Sequence, residues 1–149
     1  MTGIVLRPAQ PTDAGATGAI LSAFAIGTDW MPRIHTAAED IGFAGMMIER
    51  GWVHVAETDG DVTGFIACAD AEIQALYVAS NMCGRGIGSA LLQQVQSQAT
   101  RLSLWTFQAN TRAQQFYKRH GFKEVARTDG ARNDEKLPDM RMLWTKEGT

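Results

Sequence analysis

The sequence is poor in cysteine and has little excess of charge of either sign. Cys68 and Cys83 are the two cysteines in 149 residues. Two thiols without tight spacing offer neither a disulfide framework nor a zinc site, so we expect a reduced protein without a metal. The formal net charge is 14 − 16 = −2. That balance argues against a broad basic face for duplex nucleic acid.

Long apolar runs are also missing. None approaches the ~18 residues that a membrane span needs, and the first residues lack the pattern of a signal peptide. We therefore expect a cytoplasmic protein without a membrane partner. What is present is an ordinary globular composition, 45% apolar and 20% charged, in a chain the length of one domain. The expectation is a single domain over residues 1–149.

Hydrophobic periodicity predicts alternating strands and helices. Thr12 is the predicted N-cap of the first helix, Thr36 and Glu39 form a capping box for the second, and Asn110 caps the fourth. The predicted strands cover residues 4–7, 52–57, 62–69, 72–78, 102–107, 122–127 and 140–144. The predicted helices lie between residues 12 and 27, 36 and 50, 86 and 99, and 110 and 121.

Two local patterns indicate how these strands are arranged. Asp59-Gly60 is typical of a tight hairpin and favours antiparallel neighbours. The strand–helix–strand unit over residues 72–107 favours a parallel pair. The predicted fold is therefore α/β of the mixed α+β kind. Its central sheet is mixed and mostly antiparallel, with about seven strands and about four helices on both faces.

Glycine is the residue in excess, with 15 in the chain. Three glycines fall in Cys83-Gly84-Arg85-Gly86-Ile87-Gly88-Ser89, between a predicted strand and a predicted helix. Such a loop lets backbone N–H groups converge on a phosphate at the helix N-terminus, and Arg85 could add a side-chain contact. No Lys-Ser/Thr follows for a P-loop, and the spacing does not match G-x-G-x-x-G. The alternative interpretation of this loop is a tight strand-to-helix turn that binds no ligand.

Two segments resemble the GNAT superfamily of N-acetyltransferases. The register from Cys83 to Gly88 is similar to the family's Gln/Arg-x-x-Gly-x-Gly/Ala signature, with cysteine where the family has Gln or Arg. Residues 110–122 are similar to its Asn-x-x-Ala-x-x-Phe-Tyr-x-x-x-Gly-Phe block. The order of elements also matches, so the resemblance extends over essentially the whole chain and implies a GNAT-like domain.

The resemblance implies an N-acetyltransferase that moves the acetyl group of acetyl-CoA to a primary amine of a small molecule or peptide. Transfer is by direct attack in a ternary complex. The implied general acid is Tyr117, and Glu72, expected to share a strand face with Gln74 and Leu76, is the implied base. His54 is a second candidate for the base. The implied acetyl-CoA contacts are Leu76, Tyr77, Val78, Cys83, Gly84, Arg85, Gly86, Ile87, Gly88, Ser89 and Asn110.

The acceptor site is expected from the family's variable segments, here residues 28–35 and 129–139. Trp30, Met31 and His35 are the expected substrate-binding wall, and Glu135 and Asp139 are expected to attract a cationic amine. A non-catalytic acyl-CoA-binding sensor or interaction domain is the alternative function. A homodimer, the commonest assembly, stays open.

Overall fold

The computed structural model describes residues 3–147 of the chain. Within that range, seven strands form one sheet in the order β1-β2-β3-β4-β5-β7-β6, and only the β4–β5 pair is parallel. The strands are β1 Val5–Pro8, β2 Val53–Thr58, β3 Asp61–Ala69, β4 Glu72–Val78, β5 Arg101–Phe107, β6 Lys123–Thr128 and β7 Asp139–Thr145. The helices are α1 Ala14–Ile26, α2 Ala37–Glu49, α3 Ile87–Ser97 and α4 Thr111–Arg119. The predicted mixed, mostly antiparallel sheet is confirmed.

Two of the three predicted helix caps are confirmed. The Thr36 hydroxyl accepts a hydrogen bond from the Glu39 N–H at 3.1 Å, and the Glu39 carboxylate accepts from the Thr36 N–H at 2.8 Å. The Asn110 side-chain oxygen accepts from the Ala113 N–H at 3.0 Å. These caps satisfy N–H groups that the first turns of α2 and α4 leave without a helical partner.

The predicted cap at Thr12 is wrong. Residues Pro11–Asp13 form a 3-10 turn, and α1 begins after it. The Asp13 carboxylate explains the difference, since it accepts from the Gln10 N–H at 2.7 Å and from the Arg7 guanidinium at 2.7 and 3.0 Å. The chain is thereby drawn into a tight turn before the helix begins.

Helices cover both faces of the sheet, as predicted. Helices α1 and α2 pack on one face over a core that includes Met47 and Phe65. Helices α3 and α4 pack on the other over Leu91 and Tyr117. The two helices of the first face cross very closely at Gly18, where an added Cβ would lie 2.7 Å from the Ile41 backbone.

The parallel pair positions the site because its two strands separate. Strand β4 pairs with β5 only at Glu72 with Ser103 and at Ile73 with Leu104. Beyond these residues the strands diverge, and a cleft opens toward their carboxyl ends. In an open sheet, such an edge between separating strands is a common place for a ligand.

A β-bulge at Gln74 changes which side chains of β4 share a face. The pairing of β3 with β4 shifts by one residue there, so Gln74 is an extra residue in the strand. Ile73 and Leu76 consequently both pack toward α3 and α4, although they are three positions apart. Glu72 precedes Ile73 and therefore lies on the opposite face. The expected common face of Glu72 and Leu76 is wrong because strict alternation ends at the bulge.

Among residues 3–147, no helix combines the length and the apolar character needed to cross a membrane.

Candidate active site

A narrow cleft of about 70 Å³ lies between the separated halves of β4 and β5. Side chains and backbone from both strands and from the start of α4 line it. They are Ile73, Gln74, Ala75, Leu76, Tyr77, Leu104, Trp105, Thr106, Asn110, Ala113 and Tyr117. The cleft thus brings together four residues that the resemblance implied: Leu76, Tyr77, Asn110 and Tyr117.

The edge of β4 supplies backbone donors to this cleft. The Ala79 N–H donates to the Thr63 carbonyl of the β3 side at 2.8 Å. In an antiparallel pair, alternate residues direct their N–H and C=O groups to opposite edges. The N–H groups of Leu76 and Val78 therefore face away from β3, on the side where β5 has separated. The side chain of Val78 instead packs in the core on the α3 and α4 face.

Tyr117 lies on α4 with 8% of its surface exposed and lines the cleft. Its ring is fixed between those of Phe116 and Phe122, at centroid distances of 5.3 and 5.4 Å. Within residues 3–147, its hydroxyl has no hydrogen-bond partner, which leaves it available to a ligand. Burial, with a smaller contribution from Tyr77, raises the pKa of Tyr117. The phenol is therefore protonated at neutral pH, which is the form that a general acid needs before it reacts.

The glycine-rich loop joins the end of β4 to α3. Gly84 and Gly86 have φ of 82° and 83°, and nothing lies within 4 Å of an added Cβ at either. Both glycines are thus required by left-handed backbone rather than by crowding. Gly86 is the N-cap of α3, and no side chain caps this helix. The N–H groups of residues 87–89 are accordingly open to an anion.

The loop side chains contribute less than the loop backbone. Ile87 is 1% exposed and belongs to the core, so only its N–H can reach a ligand. The Cys83 thiol is directed back to the Ala79 carbonyl at 3.6 Å. Arg85 is exposed and forms no hydrogen bond or ion pair within the described part of the chain. The anion site therefore depends on backbone geometry, which a cysteine at position 83 does not disturb.

A second, larger cavity of about 380 Å³ lies on the α1 and α2 side. Tyr77 lines this cavity as well as the cleft, so the two adjoin at this residue. The lining side chains combine an apolar set with a charged set. They are Leu21, Phe24, Ala25, Met31, Pro32, Arg33, Ile34, His35, Glu39, Asp40, Phe43, Tyr77, Asp134 and Glu135.

This cavity is electronegative. Four carboxylates line it against one arginine and one histidine. Asp40 accepts from the Ser22 hydroxyl at 2.6 Å, whereas Glu135 has no hydrogen-bond or ion-pair partner among residues 3–147. Burial, followed by the charges of Glu135 and Asp40, raises the pKa of Tyr77 to about 12. The negative charge of this cavity thus acts on the phenol of Tyr77, the residue that both cavities share.

The expected acceptor residues have different places. His35 lines the cavity, and its Nε2 lies 4.0 Å from the Asp134 carboxylate. Trp30 does not line it: its ring packs against Phe24 and Phe107 at centroid distances of 6.2 and 5.7 Å. The Trp30 ring thus supports the wall of the cavity from behind and does not form its surface.

Glu135 lines the cavity as expected, but Asp139 does not. The Asp139 carboxylate accepts hydrogen bonds from the Thr128 hydroxyl and from Asn133 Nδ2, the latter at 3.2 Å. It anchors the loop between β6 and β7 instead of facing a ligand.

The two expected bases lie outside both cavities. Glu72 is at the paired end of β4, where its carboxylate accepts from Gln74 Nε2 at 3.1 Å. His54 is on β2, paired between β1 and β3. Neither is brought next to Tyr117.

The sequence reasoning missed the apolar part of the larger cavity. Leu21, Phe24 and Ala25 follow the i, i+3, i+4 spacing of a buried helix face. That signal was present, but it does not distinguish a core from a cavity wall. His120 was also missed: its Nε2 lies 3.1 Å from the Ser89 hydroxyl, at the first turn of α3.

Comparison with known proteins gives consistent results. The family model described as acetyltransferase (GNAT) domain matches residues 49–124. The peptidyl-lysine N-acetyltransferase YiaC of Escherichia coli is 38% identical over 97 residues, which cover 64% of this chain and 63% of YiaC. The 5-NmdU N-acetyltransferase of Pseudomonas phage PaMx11 is 35% identical over 49% of this chain and 58% of its own. The chain thus spans less than two thirds of the length of these curated relatives.

Solved structures match over almost the whole chain. The apo form of YjaB from Escherichia coli has a TM-score of 0.79 at 20% identity, covering 95% of this chain and 97% of that one. A GCN5-related N-acetyltransferase from Rhodopseudomonas palustris has a TM-score of 0.80 at 23% identity, covering 97% of both chains. At these identities the likeness concerns the fold.

Proposed function

Because the chain belongs to the GNAT acetyltransferase family, we propose that it transfers the acetyl group of acetyl-CoA to a primary amine. The observation that supports this most is the junction of the two cavities. A protonated, unpaired Tyr117 hydroxyl lies in the cleft with the free edge of β4, and an electronegative pocket begins at Tyr77.

The residues of the cleft fit an acyl-CoA. The N–H groups at the start of α3 are placed to receive its pyrophosphate, and Arg85 can add charge. The free edge of β4 can pair with the pantetheine amides through Leu76 and Val78 as a strand would. Asn110, whose side-chain oxygen caps α4, also lines the cleft.

The chemistry needs several proton and charge events. The amine nitrogen bonds to the thioester carbonyl carbon, and a backbone N–H of the free β4 edge stabilises the oxyanion that develops. The C–S bond then breaks, and the Tyr117 hydroxyl donates its proton to the CoA thiolate. The nitrogen loses its second proton as the amide forms, and the Tyr117 phenolate takes up a proton in turn. The ammonium proton must leave before attack, and Glu135 is the unpaired carboxylate placed to receive it. The role of Glu72 as base stays a prediction.

The larger cavity favours a cationic amine joined to an apolar group. Its volume is in the range of small-molecule sites, and its carboxylates attract an ammonium. A lysine side chain of a peptide, the substrate class in the name of YiaC, also has this chemistry. Both a small amine and a peptide amine are therefore acceptors within the proposal.

The test is the release of free thiol from acetyl-CoA in the presence of a panel of amines, with acetylated product identified by mass spectrometry. We expect turnover with cationic aryl-alkyl amines or lysine peptides. The proposal is wrong if acetyl-CoA raises the melting temperature but no amine of either kind is acetylated, which is the behaviour of a sensor domain.

A further inference from the structure

We propose that His120 sets the affinity of the glycine-rich loop for the CoA pyrophosphate through the hydroxyl of Ser89, with the protonated imidazole as the form that favours binding. The inference rests on the proposed function, because it assumes that the N-terminus of α3 receives the pyrophosphate.

The hydrogen bond between these side chains joins the anion site to the end of α4. Ser89 is the third residue of α3, and its Oγ lies 3.1 Å from His120 Nε2. The imidazole is held in this orientation from two sides. Its ring packs on Phe116 with a centroid distance of 4.7 Å, and the His120 carbonyl accepts from Gln96 Nε2 at 3.0 Å. The contact is therefore part of the packing between α3 and α4.

The direction of this hydrogen bond depends on the proton at Nε2. When Nε2 carries none, the Ser89 hydroxyl donates to His120 and presents only lone pairs to an anion. When the imidazole is protonated, Nε2–H donates to Oγ, and the hydroxyl proton is free to point at a phosphate oxygen. Phosphate oxygens at neutral pH accept hydrogen bonds only, so the pyrophosphate prefers the second arrangement.

The surroundings of His120 favour its neutral form before a ligand binds. Burial and then the charge of Arg119 lower its pKa. Its other contacts, Ser89 and Gln96 on α3 and Phe116 on α4, carry no charge. The imidazolium always carries a proton on Nε2, whereas the neutral imidazole carries it there in only one of its two tautomers. An anion that needs this donor therefore raises the pKa of His120, and by linkage affinity rises as pH falls through the range in which His120 titrates.

The experiment is calorimetric titration with acetyl-dephospho-CoA, from about pH 8 to about pH 5.5, where histidine titrates. This probe lacks the 3′-phosphate, whose own second pKa of about 6 would obscure the result. Its acetyl group also removes the ionisable thiol. We expect the Kd to fall about fivefold toward low pH, the size of one improved hydrogen bond.

Three variants separate the explanations. In His120→Gln the carboxamide keeps a polar partner for Ser89 but does not titrate, so binding should be independent of pH. In Ser89→Ala the link is lost, so binding should be weak and independent of pH. His54→Gln, on β2 away from both cavities, should keep the wild-type slope. A pH dependence of the Kd that persists in His120→Gln overturns the inference. Loss of that pH dependence in His54→Gln overturns it as well.

Failure of this inference differs from failure of the proposed function. Measurable binding of acetyl-dephospho-CoA that does not change with pH contradicts the role of His120 alone. If the probe does not bind at any pH in the range, while circular dichroism shows a folded protein, the acyl-CoA site itself is wrong.

Discussion

The two sides of Tyr77 recognise their ligands by different means. On the cleft side, the free edge of β4 and the first turn of α3 present backbone groups, and Gly84 and Gly86 are needed only for their positive φ. On the other side, the cavity is formed by side chains from α1, from the connection between α1 and α2, from the first half of α2 and from the loop between β6 and β7. One side is defined by chain geometry, the other by residue identity.

This difference explains how one chain can bind a cosubstrate common to its family and also an acceptor of its own. Backbone donors tolerate side-chain changes, as the cysteine at position 83 illustrates. The acceptor side changes its chemistry with each substitution at Glu135 or Phe24. A substitution should therefore affect one ligand and spare the other, except at the junction, where it should affect the chemical step.

The largest effect is expected at the junction. Tyr117→Phe removes the hydroxyl that protonates the leaving thiolate, and we expect kcat to fall about 100-fold, as is usual for a general acid. The Kd for acetyl-CoA should stay close to the wild-type value because the ring remains. Steady-state kinetics and calorimetry on one preparation measure both. Turnover at the wild-type rate would exclude Tyr117 as the acid.

The next largest effect is expected on the cleft side of Tyr77, where the ligand is recognised by backbone groups. Gly86→Ala places a Cβ on a residue with φ of 83°, and left-handed backbone costs an L-residue roughly 1–2 kcal/mol. We expect acetyl-CoA affinity to fall about tenfold with the acceptor KM unchanged. Gly42→Ala is the matched control, since Gly42 is exposed on α2 with open space around it. Equal losses in both variants would contradict a loop-specific role.

A smaller effect is expected in the larger cavity, where the ligand is recognised by side chains. Glu135→Gln removes one negative charge from the larger cavity without changing its shape. We expect the KM for a cationic amine to rise about fivefold, the size of one partly exposed charge interaction, while the Kd for acetyl-CoA is unchanged. Asp61→Asn, at the β2–β3 hairpin and outside both cavities, is the charge-matched control. A change in acetyl-CoA affinity in Glu135→Gln would show that the two sides are not independent.

The smallest expected effect concerns the pH dependence of kcat, which should be flat on the alkaline side. Because burial raises the pKa of Tyr117, this acid stays protonated above the ordinary phenol value of about 10. Loss of the acid therefore cannot reduce kcat between about pH 7 and pH 9.5. The measurement is kcat at saturating concentrations of both substrates. A decline centred near pH 8 that is absent in Tyr117→Phe would contradict the assignment.

The backbone side was largely predictable from the sequence. The alternation of elements, the hairpin at Asp59-Gly60, the caps at Thr36 and Asn110 and the glycine loop are all local patterns, and each of them reports a local backbone conformation. The bulge at Gln74 was not predictable, because it is a property of the pairing between β3 and β4.

The side-chain side was predictable only in part. Its residues come from three segments far apart in the sequence, so their meeting depends on tertiary packing. His35 and Glu135 line the larger cavity, whereas Trp30 and Asp139 support neighbouring groups, and the substrate-binding roles stay predictions. A loop residue's composition does not reveal whether it faces a cavity or anchors the loop.

The most direct test of transfer between two adjoining sites is the initial-rate pattern with acetyl-CoA and the amine both varied. Neither Cys68 nor Cys83 lines either cavity, so the cavities offer no thiol to carry the acetyl group. Direct attack in a ternary complex predicts intersecting double-reciprocal lines. Parallel lines, the sign of an acetylated enzyme intermediate, would contradict it.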